Sequence, residues 1–575
     1  MVSQEIVFRL TLISNFLLQS HTTNNMKRSS LLLCLSALLS TGTAFSQTLE
    51  VPKNVTKALK KTKPSDIKKH IAYLADDKLK GRQPGTEGYQ MAVDYVVNQY
   101  KKMGVEPGGE NNTYLQLVRL RRSFTGADAS FTSQVTGQGT PQTWTVGKDV
   151  AINPHPEQAQ SSVDAPVVFV GHGISAPDLG YDDYAGLDVK GKIVMVLRGA
   201  PKSFPSTVAS YSIDVTTILR NAAEHGAVGV LMATNTQNPK ATVPNLSRGV
   251  NSVAGADGKV ATSRNYVSDK IKLMATLSAP ATHQFFVKAG LDTAQAFSTL
   301  RSGKPASADL KQTVKASYTS SNKDFDSWNV IGKITGSDPQ LKNEYVVHSA
   351  HLDHVGITAP VNGDSINNGA HDNASGVASL LEIARTYTRL KDKQKRSILI
   401  VMVTAEEMGL LGSAYFAKYP TVPKSSIVAD INTDMPTIIA PLLSVVGLGS
   451  NHSTLETPVA YAASYLGMTV EADPEPNENR FIRSDQYSFV TQGIPALHIK
   501  YGNKTADGLN NLNKKVAEWR AIHYHKPQDE LNDTFDFDAG RKYVQLNFLI
   551  SYQVANTPER PTWKQGDFFG TRFGQ

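Results

Sequence analysis

The sequence predicts an α/β fold, a sheet of apolar strands covered by helices on both faces and interrupted by a β-rich insert. Beyond Asn329, near-continuous β-branched runs alternate with helical patterning, the signature of a sheet buried on both sides. From about 126 to 310 the texture changes to short strands broken by Gly, Pro, Asn and Ser. The 575 residues exceed what one core organises, so two or three domains are expected.

Taken in chain order, the first feature is a processing signal. Met26-Lys27-Arg28 opens a charged stretch, Leu31 to Leu39 is mostly apolar, and Ala44-Phe45-Ser46 supplies small residues before Gln47. This predicts a secretory signal peptide cut after Ser46, its apolar run too short to span a bilayer. Residues 1–25 precede that methionine and are read as a mis-called start, the alternative being an upstream functional segment. The single cysteine, Cys34, leaves with the signal, and Leu33 before it disfavours lipidation. The mature chain is expected to be exported to the periplasm or medium, free of disulfides and of membrane anchors. A metal site in it would draw on His, Asp and Glu.

Hydrophobic residues at 40% and charged residues at 19% describe an ordinary globular protein. The net charge of +8 is spread without a long Lys/Arg run, so no nucleic-acid partner is expected.

Residues from about 63 to 125 open with helical spacing: Ile67, Ile71 and Leu74, then Ala92, Val93, Val96, Val97 and Tyr100. Gly81 to Thr86 is a loop between them. In the insert, 167–170, 193–197 and 228–232 read as strands, with a helix over 218–225. Later strands are read at 345–349, 397–404, 427–433 and 494–499, with an amphipathic helix at 374–390. The division is 1–46 upstream segment and signal, 47–129 first part of the main domain, 130–310 insert, and 311–575 main domain and tail.

Acids and imidazoles stand wherever the chain leaves the carboxyl ends of these strands, where α/β sheets place function. His351-Leu352-Asp353-His354, His371-Asp372-Asn373, Thr404-Ala405-Glu406-Glu407, Asn432-Thr433-Asp434 and His523-Tyr524-His525 are the five clusters. Singly, each has an ordinary explanation; Asp372, for instance, serves equally as a helix cap. Together they would repel unless a cation neutralised them. Imidazoles with carboxylates and no thiolate suit Zn, Mn or Co. One carboxylate bridging two ions about 3.5–4 Å apart, with one His and one acid more for each, makes a hydrolytic pair.

The same segments, Ala350 to Gly356, Asp372 to Gly376, Thr404 to Ser413, Asn432 to Met435 and Tyr524 to Asp529, resemble the ordered motifs of the di-zinc aminopeptidases. That family includes bacterial leucyl aminopeptidases, with glutamate carboxypeptidases and glutaminyl cyclases as relatives. The middle module resembles a protease-associated domain. The resemblance implies a mixed, largely parallel sheet sandwiched by helices, two zinc ions per chain and peptide substrates. It implies Asp372 as the bridging ligand, His351 and Asp434 on one zinc, and Glu407 and His525 on the other. Glu406 would be the general base and Asp353 the acid that orients His351. Arg483, Asp485 and Tyr524 resemble substrate-pocket residues. His348 reads as structural, and His354, His371 and His523 rank below the favoured ligands. Aminopeptidase action is the expectation. The alternatives are a carboxypeptidase gripping a terminal carboxylate through Arg480 or Arg483, a cyclase, and an inactive binding protein on the same fold.

Overall fold

The computed structural model describes residues 50–137, 139–236 and 242–574. The expected signal peptide and Cys34 lie outside the described residues.

Helix α1 (Pro64–Leu74) begins with proline at its first turn and buries Ile67, Ile71 and Leu74 on one face, as helical spacing requires. Helix α2 (Glu87–Met103) starts where the Thr86 side chain accepts the Tyr89 N–H and stops at Gly104, φ 71°. The helical texture ends there. Leu115–Thr125 is a strand, β1.

The insert builds a parallel array from β2 (Gln160–Val170), β3 (Ile193–Leu197), β4 (Gly229–Ala233) and β5 (Leu273–Leu277). Helix α3 (Val215–Glu224) crosses between β3 and β4. Alternation along β3 divides its side chains: Ile193 and Met195 join one apolar cluster, Val194 and Val196 another.

Strand β6 (Ser307–Ile334) is 28 residues long. It pairs antiparallel first with β2, then with β1, and finally with a strand of the main sheet. The boundary drawn at 310/311 falls inside this strand, because its polar middle breaks the apolar pattern without breaking the ladder.

The main sheet contains β7 (Tyr345–His351), β8 (Ser397–Val403), β9 (Ile427–Asn432) and β10 (Ala496–Tyr501). β7 lies parallel to β8 and β9, and β9 parallel to β10; β6 adds an antiparallel neighbour on β8. Along β8, Ile398, Ile400 and Met402 face a core shared with α1, α2, α4 (Ser375–Thr388) and the later helix over 537–556. Leu399, Val401 and Val403 face a second core with Phe416, Phe489 and Phe569. Each such buried side chain contributes roughly 1.5–3 kcal/mol, which fixes the register: a one-residue slip would exchange the two faces. Among the described residues no helix is long and apolar enough to cross a membrane.

Candidate metal centre

Because β7, β8 and β9 are parallel neighbours, their carboxyl ends open at one edge. β7 delivers His351 there, β9 runs into Asp434, and β8 into the turn holding Glu406 and Glu407. Asp372 arrives on the loop before α4. His525 follows helix α5 (Leu512–His523), and a second helix, α6 (Phe537–Asn556), closes the core behind.

The Asp372 carboxylate sits between two imidazoles. One oxygen is 3.2 Å from His351 Nε2 and the other 3.2 Å from His525 Nε2. Asp434 lies 3.4 Å from the same His351 nitrogen, and Glu407 lies 3.1 Å from His525 Nε2. The structure thus brings all five expected ligands together around one central carboxylate. His354 joins them: its Nδ1 is 2.8 Å from the other Glu407 oxygen. Candidate ion-holding groups within 4.8 Å include His351, Asp372 and Asp434, and also His354, Asp372 and Glu407. Of the two histidines near Glu407, only His525 aims one nitrogen between both carboxylates. His354 pairs with the other Glu407 oxygen, and its ligand nitrogen also lies within 4.8 Å of an Asp372 oxygen.

Electrostatics show what the cluster lacks. Burial works against a charged His351, yet the Glu406, Asp372 and Asp434 carboxylates outweigh it and hold its pKa well above the ordinary range. Burial likewise opposes charge on His525, while hydrogen bonds to Asp372 and Glu407 lift it to about 10. The upward pull on both imidazoles comes from carboxylates that outnumber them. Two nitrogens and three carboxylates in this arrangement fit divalent metal of the zinc type.

Asp353 has a different task from the one expected. His351 Nδ1 donates to the backbone carbonyl of Asp353 at 3.1 Å, not to its carboxylate. The carboxylate oxygens instead accept the N–H groups of Glu406, 3.1 Å, and Glu407, 3.3 Å. They hold a turn in which Ala405 adopts φ 56°, a left-handed conformation that costs a non-glycine residue. Burial raises the Asp353 carboxyl to about 6. Glu406 is also pushed well above the usual carboxylate range, chiefly by burial and further by Glu407, Asp434 and Asp485, against the opposing pull of His351.

Arg483 and Tyr524 line a cavity beside Asp434. Asp485 does not: it is fully buried under the site and absent from the cavity wall, so its expected contact with substrate is corrected to a place behind the ligands. His348 is buried within β7, neutral, with its pKa lowered to about 3 by burial. His371 stacks on Phe535 at 3.9 Å, and His523 on Trp519 at 4.7 Å; both are packing residues.

Three further residues serve the site: Asn373 and Asp529 lie inside the motif segments without a role read for them there, and Arg82 lies in the loop 81–86 with no signal of its own. Asp529 accepts the backbone N–H groups of His371 and Asp372 at 2.9 and 3.0 Å. Asn373 accepts the N–H groups of Gly376 and Met435 and donates to the Thr433 carbonyl, tying the Asp372 and Asp434 loops together. Arg82, 1% exposed, donates to the carbonyls of Leu74, Leu352, Asn368 and Gly369. Burial lowers its pKa to about 10, still a cation at neutral pH, and the charges of Asp353 and Asp529 oppose that shift most.

Residues 329–546 match the profile of peptidase family M28, and residues 163–267 that of the PA domain. A leupeptin-inactivating enzyme from Streptomyces exfoliatus is 28% identical over 272 residues, covering 45% of this chain and 58% of its own length. A probable leucine aminopeptidase from Aspergillus fumigatus is 28% identical over 201 residues, 32% of this chain and 37% of that protein. The chain therefore spans less than two thirds of the length of these curated relatives. Among solved structures, an aminopeptidase from Aneurinibacillus sp. strain AM-1 is similar at 20% identity and a TM-score of 0.48, covering 88% of this chain and 97% of that one. A zinc aminopeptidase from Bacillus subtilis is similar at 18% identity and a TM-score of 0.40, covering 89% and 98%.

Proposed function

We propose that this chain, whose residues 329–546 match peptidase family M28 and whose residues 163–267 match the PA domain, is an exported, two-zinc aminopeptidase. One observation carries the reading: two carboxylate–imidazole sets share the Asp372 carboxylate, with Glu406 half-buried beside them.

His351 and Asp434 would hold one ion, His525 and Glu407 the other, and Asp372 both. Zinc bound there supplies Lewis-acid polarisation of a scissile carbonyl and makes water more acidic. The chain's own residues do the rest. The Glu406 carboxylate takes a proton from the attacking water and passes it to the departing amine nitrogen, a role typically worth 10²–10⁴-fold. Asp353 fixes the Glu406 backbone, so the base keeps its aim. Asp529 and Asn373 fix the loop that presents Asp372. Carboxylates outnumber imidazoles at the site, three ligand acids and Glu406 against His351 and His525, and this excess attracts a protonated α-amine, which favours the amino end of a peptide.

Export is part of the proposal, resting on the charged, apolar and small-residue order of residues 26–46. Amino-terminal sequencing of the mature protein from the host's medium or periplasm tests it; a start upstream of residue 47 would oppose it.

A panel of aminoacyl-p-nitroanilides beside their N-acetyl forms, with and without chelator, tests the chemistry. Cleavage of the free-amine forms only, lost on chelation and restored by two zinc equivalents, is expected. Cleavage of N-acetylated peptides from the carboxyl end would make the enzyme a carboxypeptidase.

A further inference from the structure

Beside Asp434 the site opens into a cavity of about 270 Å³. That lies below the roughly 300–1,000 Å³ of pockets for drug-sized ligands, so it holds about one side chain. Its wall is unusually cationic for such a position, with Arg480, Arg483, Lys500 and Arg520 against Glu475 and Glu478 beyond the ligand Asp434.

Most of these charges are already engaged. Arg480 pairs with Asp473 and with Glu475, 3.0 Å away. Lys500 Nζ donates to the backbone carbonyls of Asp434 and Met435 at 3.0 and 2.8 Å. Arg483 stands 3.9 Å from the exposed Glu478 carboxylate and 3.5 Å from the Tyr524 hydroxyl. Arg520 differs. It is half-buried and has no carboxylate partner among the described residues; its guanidinium stacks 3.8 Å above the Tyr524 ring, and its Nη1 meets only the Met435 sulfur, at 3.8 Å.

A stacked guanidinium is held in place while its in-plane N–H donors stay free. Fork-shaped donors of this kind match a carboxylate. An aliphatic side chain in the same space would bury those donors without a partner, which is unfavourable.

We infer that this cavity is a carboxylate subsite centred on Arg520, with Arg483 as a second donor, and that it selects substrates carrying a carboxylate next to the scissile bond. The inference rests on the peptidase reading of the metal centre. The carboxylate has two sources: an acidic side chain on the residue bearing the free amine, or the terminal carboxylate of the residue being released.

Two substrate pairs distinguish the sources. Glutamyl- against glutaminyl-p-nitroanilide probes the side chain, and N-acetyl dipeptides against their C-terminal amides probe the terminus. In one pair the carboxylate form should have the higher kcat/KM, and Arg520→Gln should cut that ratio about ten- to a hundredfold. Arg520→Lys, which keeps the charge and loses the fork, should restore part of it. A ratio near one in both pairs, or a ratio that survives Arg520→Gln, overturns the subsite. Direct binding of glutamate, of its side-chain amide glutamine and of its α-amide isoglutamine, by calorimetry on the zinc-loaded protein, separates this from the peptidase reading. Glutamate binding tighter than one of the two amides, in a way that depends on Arg520, supports the subsite even if no substrate is cleaved, and equal binding of all three overturns it.

Discussion

Replacing Asp529 with asparagine should loosen zinc without touching any group that reaches it. Both Asp529 oxygens are engaged, one by the His371 N–H at 2.9 Å and one by the Asp372 N–H at 3.0 Å, in a residue with no exposure. An asparagine keeps one acceptor and presents its NH₂ group to the other N–H, so donor faces donor. One hydrogen bond to a charged acceptor, worth about 1.5–3 kcal/mol, is lost. The loop it releases carries the carboxylate that stands 3.2 Å from both His351 and His525. If most of that energy is drawn from metal binding, affinity falls about 10–100-fold, the range usual for a residue that orients a ligand. The assay is zinc occupancy and activity of Asp529→Asn across a series of chelator-buffered free-zinc concentrations. An unshifted curve would refute the reasoning, and would mean that the remaining contacts, such as Ser375 Oγ to the His371 carbonyl at 2.8 Å, hold the loop unaided.

Glu406→Gln should keep both ions and lose about 10²–10⁴-fold in turnover, whereas Glu407→Gln should chiefly lower metal content; elemental analysis beside kcat separates them, and near-normal turnover in Glu406→Gln would place the base elsewhere. Asp183 supplies a pH test in the insert. Burial raises its carboxyl from 3.8 to about 7, with the His172 and Ile174 N–H groups opposing. Between those values the folded chain binds the proton and the unfolded chain does not, so this contribution to stability falls as pH rises through the window and levels off above it. Denaturation midpoints from pH 5 to 8 should slope less in Asp183→Asn, and an unchanged slope would count against it.

What the sequence disclosed follows from where the information lies. β3 is a continuous apolar run and was legible at its true ends, 193–197. β6 was not, because Lys323-Asp324-Phe325-Asp326 shows no run of apolar residues; what makes it a strand is its pairing with β1, Arg121 bonding Asp324 at 2.9 Å. The five clusters were legible as acids and imidazoles at or beyond strand exits, whereas the choice of His351, Asp372, Glu407, Asp434 and His525 within them came from the resemblance to the di-zinc aminopeptidases. Arg82 and Asp529 act on backbone groups far along the chain, Arg82 reaching the Leu352 carbonyl 270 positions away, and no spacing rule marks such a partner. Asp353 shows the same limit: two-residue spacing places it near His351, but the competition for its oxygens was decided by a turn more than fifty residues later.

β6 also has a mechanical consequence. Its 28 residues amount to about 90 Å of contour at the rise of an extended chain. It passes from the sheet of the insert to the sheet bearing the metal edge without a flexible joint between them. Arg264 and Asp214 of the insert, paired at 2.9 Å, add a strut against Tyr487 of the main domain. A load on the insert is therefore carried as bending of a continuous beam rather than as rotation at a hinge. Whatever docks on the insert can be felt at β8 as stress along a shared ladder, and a single cut within β6 would unload both sheets at once.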